Sequence, residues 1–432
     1  MSAAVDAPRD PILWLKPLTL VGRDEWPPVA YSFVYFFCLL GGYFMLRPVR
    51  EAMAVAGGVE NIPWLFTATF IVMLAMTPLY GWLVGRFPRR VFLPVVYLFF
   101  AAHLVLFYLL FQRQFAGPAL SRAFFVWLSV FNLFVVSVFW SFMVDLFTTL
   151  QARRLFGVIA AGGSSGAIAG PWLTVYLAPL IGVANLLLVT AAMLLAATFC
   201  VYRLRRYSIE HDAVQRAEDR EALAGGVLDG VRRLLASPYL LLIAGLMLLH
   251  NIVAGFLYNL RAVLVAESTG DFVAQTQIFG HIDFTVNVLA LLLQALVTVR
   301  LIKRFGMAAT LAVVPVLLLL GFGVLGALPA LLVVIVVQIG QRAMNYGLIG
   351  PAKEMLFTPV DRINKYKSKN FIDTVVYRGS DVAAGWLFWG LVAAGLDKSQ
   401  LVFSLLPVLF LWTWLVLRLG RRYRALAAGR AA

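Results

Sequence analysis

Residues 203–238 read RLRRYSIEHDAVQRAEDREALAGGVLDGVRRLLASP, a charged stretch set between long apolar runs. It holds Arg203, Arg205, Arg206, Arg216, Arg220, Arg232 and Arg233, interleaved with Glu210, Asp212, Glu218, Asp219 and Glu221. Such a segment reads as a soluble connector. A spanning helix needs about twenty mainly apolar residues. By that measure six spans precede the connector, at 28–52, 62–85, 91–112, 122–147, 155–178 and 182–203. Six follow it, at 238–260, 275–300, 307–326, 329–355, 370–394 and 399–418. The pattern predicts an all-α polytopic membrane protein of about 12 transmembrane helices in two six-helix halves. Its parts are an N-terminal segment (1–27), a first half (28–203), the connector (204–237), a second half (238–418) and a basic tail (419–432).

Composition agrees with a lipid environment. Of 432 residues, 62% are hydrophobic and 13% charged, and mean hydropathy is +0.87. Soluble proteins carry about a quarter charged residues. The net charge of +15 admits either nucleic acid or the basic loops of a membrane protein, and placement decides between them. Arg86, Arg89, Arg90, Arg153, Arg154, Arg300, Lys303, Arg304, Lys365, Lys367 and Lys369 all fall on one side of the predicted bilayer. The connector and the tail (Arg418, Arg421, Arg422, Arg424) join them. The other side has only scattered cations, such as Arg113, Arg122, Arg261 and Lys398. By the positive-inside rule both termini are cytoplasmic. The expected setting is the bacterial inner membrane, with lipid and no nucleic acid as partner. Met1 to Pro28 lacks a signal-peptide core. Cys38 and Cys200 lie in apolar runs and read as buried thiols.

The segment Gly81-Trp-Leu-Val-Gly-Arg86-Phe-Pro-Arg89-Arg90 follows the second span, and Arg300-Leu-Ile-Lys303-Arg304-Phe-Gly306 follows the eighth. Two six-helix halves with basic turns at matching places resemble the major facilitator architecture, in which substrate binds between the halves. The first turn is similar to that superfamily's G-x-L-x-D-R-x-G-R-R loop, with Gly85 at the acidic position. In the fifth span Gly162, Gly166 and Gly170-Pro171 recur at four-residue spacing, which serves either close helix packing or gating.

Polar side chains within spans are costly and default to functional candidates. In the tenth span Gln338, Arg342 and Asn345 fall within about 60° of one another, and a regular helix would put Lys353 about 20° from Arg342. In the first span Tyr43, Arg47 and Arg50 recur at helical spacing, followed by Glu51, and Pro48 is expected to kink the helix. Asp283 in the eighth span either neutralises a buried cation or, like Glu51, carries a coupling proton. The arginines outnumber the acids, and guanidinium forks suit phosphate and carboxylate. An anionic cargo would balance the charge. No Walker-type loop, nucleophile–base arrangement or metal-ligand spacing appears, so neither enzyme activity nor a cofactor is expected.

Three segments carry a closer resemblance. Leu46-Arg47-Pro48-Val49-Arg50-Glu51 is similar to the first-span L-R-D-T-K-D of the bacterial and plastid ATP/ADP translocase family. Phe139-Trp140-Ser141-Phe142 with Ala152-Arg153-Arg154-Leu155-Phe156 resembles its F-W-G-F…A-K-R-F-Y. Gly350-Pro351-Ala352-Lys353-Glu354-Met355-Leu356-Phe357-Thr358-Pro359-Val360-Asp361 resembles D-P-T-K-E-M-A-Y-I-P-L-D, continuing through Lys365, Lys367, Lys369 and Asp373. The resemblance implies a nucleotide-like anionic substrate and transport roles for Arg50, Lys365 and Lys367. Read from the residues alone, those two lysines are also ordinary cytoplasmic-loop cations. The family's acidic residues of the fourth and seventh spans are matched by Asn132 and Leu257, a departure that bears on ATP/ADP exchange.

The expected function is alternating-access transport of an anionic, nucleotide-like or phosphorylated solute, with protons or a counter-transported anion as the coupling species. Two alternatives stand beside it. One is proton-coupled efflux of amphipathic or cationic compounds; the other is a non-transporting sensor or assembly partner on a transporter scaffold.

Overall fold

The computed structural model describes residues 21–87, 89–113, 117–211, 232, 234–361, 368–369 and 371–429. Most of the connector, together with Lys365 and Lys367, lies outside them. Every regular element among the described residues is helical. The first half comprises α1 (Trp26–Ala56), α2 (Ile62–Arg86), α3 (Arg89–Gln112), α4 (Pro118–Leu146), α5 (Thr149–Ile181) and α6 (Asn185–His211). The second begins with α7 (Pro238–Ser268) and α8 (Phe272–Leu292). After α8 the chain stays helical to residue 305, and α9 follows at 307–327. Gly306, at φ 77, separates the two; this left-handed conformation favours glycine. Then come α10 (Leu331–Met344), α11 (Tyr377–Ala393) and α12 (Leu406–Gly429, preceded by a short turn at Lys398–Phe403).

Ten described segments are long and apolar enough to cross a membrane. One of them, Phe272–Ala327, is 56 residues long and supplies two crossings, divided at Gly306. The α11 helix, which carries Arg378 and Asp381, completes twelve. Both described ends of the chain therefore lie at one end of the bundle. The connections at 57–61, 182–184, 269–271, 328–330 and 394–397 lie at the other, called here the far end.

Each half buries its own apolar core. One core draws on Tyr35, Leu39, Phe131, Phe139, Leu155 and Leu194, the other on Leu257, Val314, Phe322, Phe388, Leu409 and Trp412. A third, smaller cluster joins them near the far end: Ala52, Val55 and Ile62 meet Ala262, Val265, Phe279, Ile282 and Val286. Around it the halves are stitched together. Trp64 and Trp386 stack edge to face at 4.8 Å, and Trp386 Nε1 donates to Thr67 Oγ1 at 3.1 Å. Gln277 Nε2 donates to the Val175 carbonyl at 3.1 Å, and deeper in the bundle Asn287 Nδ2 donates to the Ala167 carbonyl at 2.7 Å.

The helix α1 runs continuously through Pro48. It lies directly on α5. A Cβ on Gly166 would come within 2.8 Å of the Gly41 backbone nitrogen, and one on Gly170 equally close to that of Met45. Gly162 faces the Phe33 carbonyl. Thr174 Oγ1 bonds the Met45 carbonyl at 2.7 Å. These glycines lie in close contact with α1 within the first half. Pro171 differs, since its carbonyl faces Gly280 of α8, across the two halves.

Among the described residues the second half contains three π-helical turns, at Leu293–Thr298, Asn345–Ile349 and Ile372–Val376. The middle one has a sequence cause. Pro351 has no N–H to offer the Gly347 carbonyl four residues earlier, and Thr298 Oγ1 supplies that bond from α8's extension at 2.6 Å.

Replacing Gly166 by Ala is expected to destabilise the protein by about 1–3 kcal/mol through overpacking, seen as a lower melting temperature in detergent. Gly157→Ala on the same helix, where a Cβ meets nothing within 4 Å, should leave it unchanged. Equal melting temperatures for the two variants would contradict the close α1–α5 contact.

Candidate functional site

The charged groups of the first span end up where the two halves meet. Asp283 and Arg342 each lie eleven residues from the start of their helices. At 1.5 Å per residue that is about 16 Å, near the middle of a hydrocarbon core about 30 Å thick. Arg342 Nη1 contacts Asp283 Oδ1 at 2.7 Å, and Arg47 Nε stands 3.6 Å from Asp283 Oδ2. On the far-end side, Arg50 contacts Glu51 at 2.5 Å, and Arg261 Nη2 contacts Glu51 Oε2 at 3.0 Å. Each carboxylate is thus shared by two guanidiniums, and in each trio one partner crosses from α1 to the second half.

Burial makes these contacts consequential. Side-chain exposure is 3–4% for Asp283, Glu51 and Arg261, and 11–16% for Arg342, Arg50 and Arg47. Breaking one partner of such a pair leaves a buried charge without compensation. Aromatic faces supplement the pairing: Arg50 lies over Phe125 at 4.6 Å, and Arg261 lies between Tyr258 at 4.9 Å and Phe279 at 4.8 Å. Four arginines against two carboxylates leave two positive charges in excess. Each arginine also keeps a buried nitrogen with no hydrogen-bond acceptor: Arg47 Nε, Arg50 Nε, Arg261 Nε and Arg342 Nη2. Arg47 Nε faces the equally unpartnered Asp283 Oδ2. Guanidinium groups of this kind donate charge-assisted hydrogen bonds to anionic oxygens.

The other sequence candidates are distributed as follows. Tyr43 is half-buried on α1, and Gln338 is buried on α10 with Oε1 unpartnered. Asn345 is half-buried at the start of the π-turn. That turn breaks the regular phase on which the Lys353 expectation rested. Lys353 pairs instead with Asp373 at 2.8 Å, beside Lys369–Glu354 at 2.5 Å, at the termini end. Asn132 is half-buried on α4, and Leu257 is buried in the core of the second half.

Two members of the cluster were not among the sequence candidates. Arg261, expected among the scattered outer cations, lies buried on α7 because that helix continues to Ser268. The apolar run Ala262–Ala266 after it was the available signal. Tyr346, carried by the π-turn, lies beside Arg47 and Arg342 and is 41% exposed. An apolar groove of about 510 Å³ lined by Leu260, Phe388, Trp389, Leu396 and Lys398 opens elsewhere, among helices of the second half. The charged groups do not converge there.

Comparison with known proteins places this architecture. The Major Facilitator Superfamily pattern matches residues 32–352, and the chain belongs to that family. It is 22% identical to ADP,ATP carrier protein 1 of Chlamydia trachomatis serovar D, covering 96% of this chain and 93% of the relative. ADP,ATP carrier protein 1 of Chlamydia pneumoniae is also 22% identical, with 96% of both chains covered. Among solved structures, the nucleoside transporter NupG superposes with TM-score 0.62 at 13% identity, over 94% of this chain and 99% of its own. A bacterial homologue of the iron transporter ferroportin, in an inward-facing state, gives 0.64 at 12% identity, over 92% and 99%. The solved structures share the fold. The chain is a membrane transporter rather than an enzyme.

Glu51→Gln and Arg261→Gln should each cost about 3–5 kcal/mol of stability as single changes, and the double variant less than their sum. Melting temperatures of the four proteins in detergent give the comparison. Strict additivity would mean that the pair does not join the halves.

Proposed function

We propose that this member of the Major Facilitator Superfamily moves an anionic small solute, nucleotide-like or phosphorylated, by alternating access between its two halves. The observation that carries the reading is the arginine-rich cluster at the interface of the halves, with positive charge in excess. The likeness to ADP,ATP carrier proteins supports the same substrate class. Excess positive charge at the site opposes a cationic cargo.

In this reading Arg47, Arg50 and Arg342 hold the anion, and Tyr43, Tyr346, Gln338 and Asn345 contribute the rest of the wall. Glu51 and Asp283 act as anchors, each engaged by two arginines. Opening the far end requires the Glu51–Arg261 and Arg47–Asp283 contacts to part, together with the Pro171–Gly280 and Trp64–Trp386 contacts. The anion offers Arg47 and Arg342 a replacement for Asp283. Lys353, with Lys365 and Lys367 following it in sequence, lies toward the termini end. Positive-inside placement of the basic loops supports a cytoplasmic assignment for that end, in a bacterial inner membrane.

Proteoliposomes carrying the purified protein should take up at least one labelled nucleotide or phosphate ester, and Arg342→Ala should reduce that uptake at least tenfold. No uptake of any anion, with Arg342→Ala behaving like the unaltered protein, would refute the reading.

A further inference from the structure

The charge at the site can be counted, and the count selects among anions. We infer that the site is matched to a dianion, the charge of an organic phosphate monoester, rather than to the trianion or tetraanion of a free nucleoside diphosphate or triphosphate; this rests on the anion-transport reading above.

The buried cluster contains Arg47, Arg50, Arg261 and Arg342 with Glu51 and Asp283, leaving two positive charges uncompensated. The described charged pairs around it are balanced and change nothing: Arg378 with Asp381 at 3.7 Å, Lys353 with Asp373 at 2.8 Å, and Lys369 with Glu354 at 2.5 Å. The cluster lies at the depth where uncompensated charge costs most. A ligand with two negative charges brings the occluded site to neutrality. One with three or four leaves a negative charge enclosed, and one with fewer leaves a positive charge.

The distribution of the arginines fits a single phosphoryl group. Arg261 is enclosed at 3% exposure between two aromatic rings and on Glu51, so it fixes the far-end side. Arg47, Arg50 and Arg342 remain partly exposed, at 11–16%, and each also has one enclosed nitrogen without a hydrogen-bond acceptor. A phosphoryl group offers three acceptor oxygens and a dianionic charge above its second pKa of about 6. Tyr346, exposed beside Arg47 and Arg342, and half-buried Tyr43 provide aromatic surface for the organic part.

The test is a charge ladder on the unaltered protein, in a magnesium-free chelating buffer at pH 8 so that no cation masks phosphate charge. Adenosine, AMP, ADP and ATP form one series. Glucose, glucose 6-phosphate and fructose 1,6-bisphosphate form a second, and inorganic phosphate and succinate stand as dianions without that organic part. Binding is read by thermal shift and titration, since a ligand of the folded state raises its apparent stability. In at least one series the monophosphate should bind at least tenfold tighter than both the uncharged compound and the more highly charged members. It should also bind tighter than free phosphate or succinate, and should weaken as pH falls below about 6. Arg342→Gln removes one positive charge and should abolish the advantage of the monophosphate over a monoanionic phosphodiester. Glu51→Gln adds one and should shift preference toward the diphosphate. The ladder on the unaltered protein stands without either variant. Equal or tighter binding of magnesium-free ADP or ATP would overturn the charge match while leaving the anion reading intact. Preference for phosphate or succinate would overturn the monoester assignment. Absence of binding by every anion in both series would overturn the anion reading itself, and this inference with it.

Discussion

Two carboxylates hold the centre of this molecule, and each does so by serving two guanidiniums at once. Glu51 receives Arg50 from its own helix and Arg261 from the second half; Asp283 receives Arg342 from its own half and approaches Arg47 across the interface. Charges at this depth are tolerable only in company. The requirement therefore fixes which helices meet, at what depth and in which rotation. The apolar cluster around Ala52, Val265 and Ile282 and the Trp64–Trp386 contact follow as the dry seal on one side of these pairs. A cluster built this way ties the halves together, because each carboxylate draws guanidiniums from both of them.

The two halves differ in how they are built. In the first, the glycines of α5 bring its backbone onto that of α1, a contact with no slack for side-chain rearrangement. In the second, three helices carry π-turns, and Thr298 holds the free Gly347 carbonyl that Pro351 creates. Such turns interrupt the regular ladder, and kinks in long helices occur at π-bulges. The first half is held by backbone-to-backbone contact, and the second carries its π-turns just beyond the charged cluster.

Most of the fold was legible because lipid imposes one simple demand, about twenty apolar residues per crossing. Arg47, Arg50, Glu51, Asp283 and Arg342 were legible for the complementary reason, that charge inside such a run is conspicuous. What escaped was phase and length. The predicted seventh span stopped at residue 260 and set Arg261 outside, whereas the helix extends to Ser268 and encloses it. The regular-helix projection of Lys353 toward Arg342 failed at the π-turn, whose signal was Pro351 four residues after Gly347. Tyr346 was missed with it, since an aromatic residue in an apolar span carries no mark of its own. Which arginine meets which carboxylate depends on the crossing of α1 with α7 and α8, information that no local pattern contains.

The edge-to-face pair of Trp64 and Trp386 joins indole rings from opposite halves at the far end, 4.8 Å apart. In the proposed alternating-access cycle this contact would break when the halves part at that end. On that reading the two rings would report optically on closure of that end. Their mutual proximity, and the bond from Trp386 to Thr67, would vanish together on opening, changing the polarity each indole experiences. Within the emission of the chain's 11 tryptophans, this pair is, among the described residues, the one that joins the two halves edge to face.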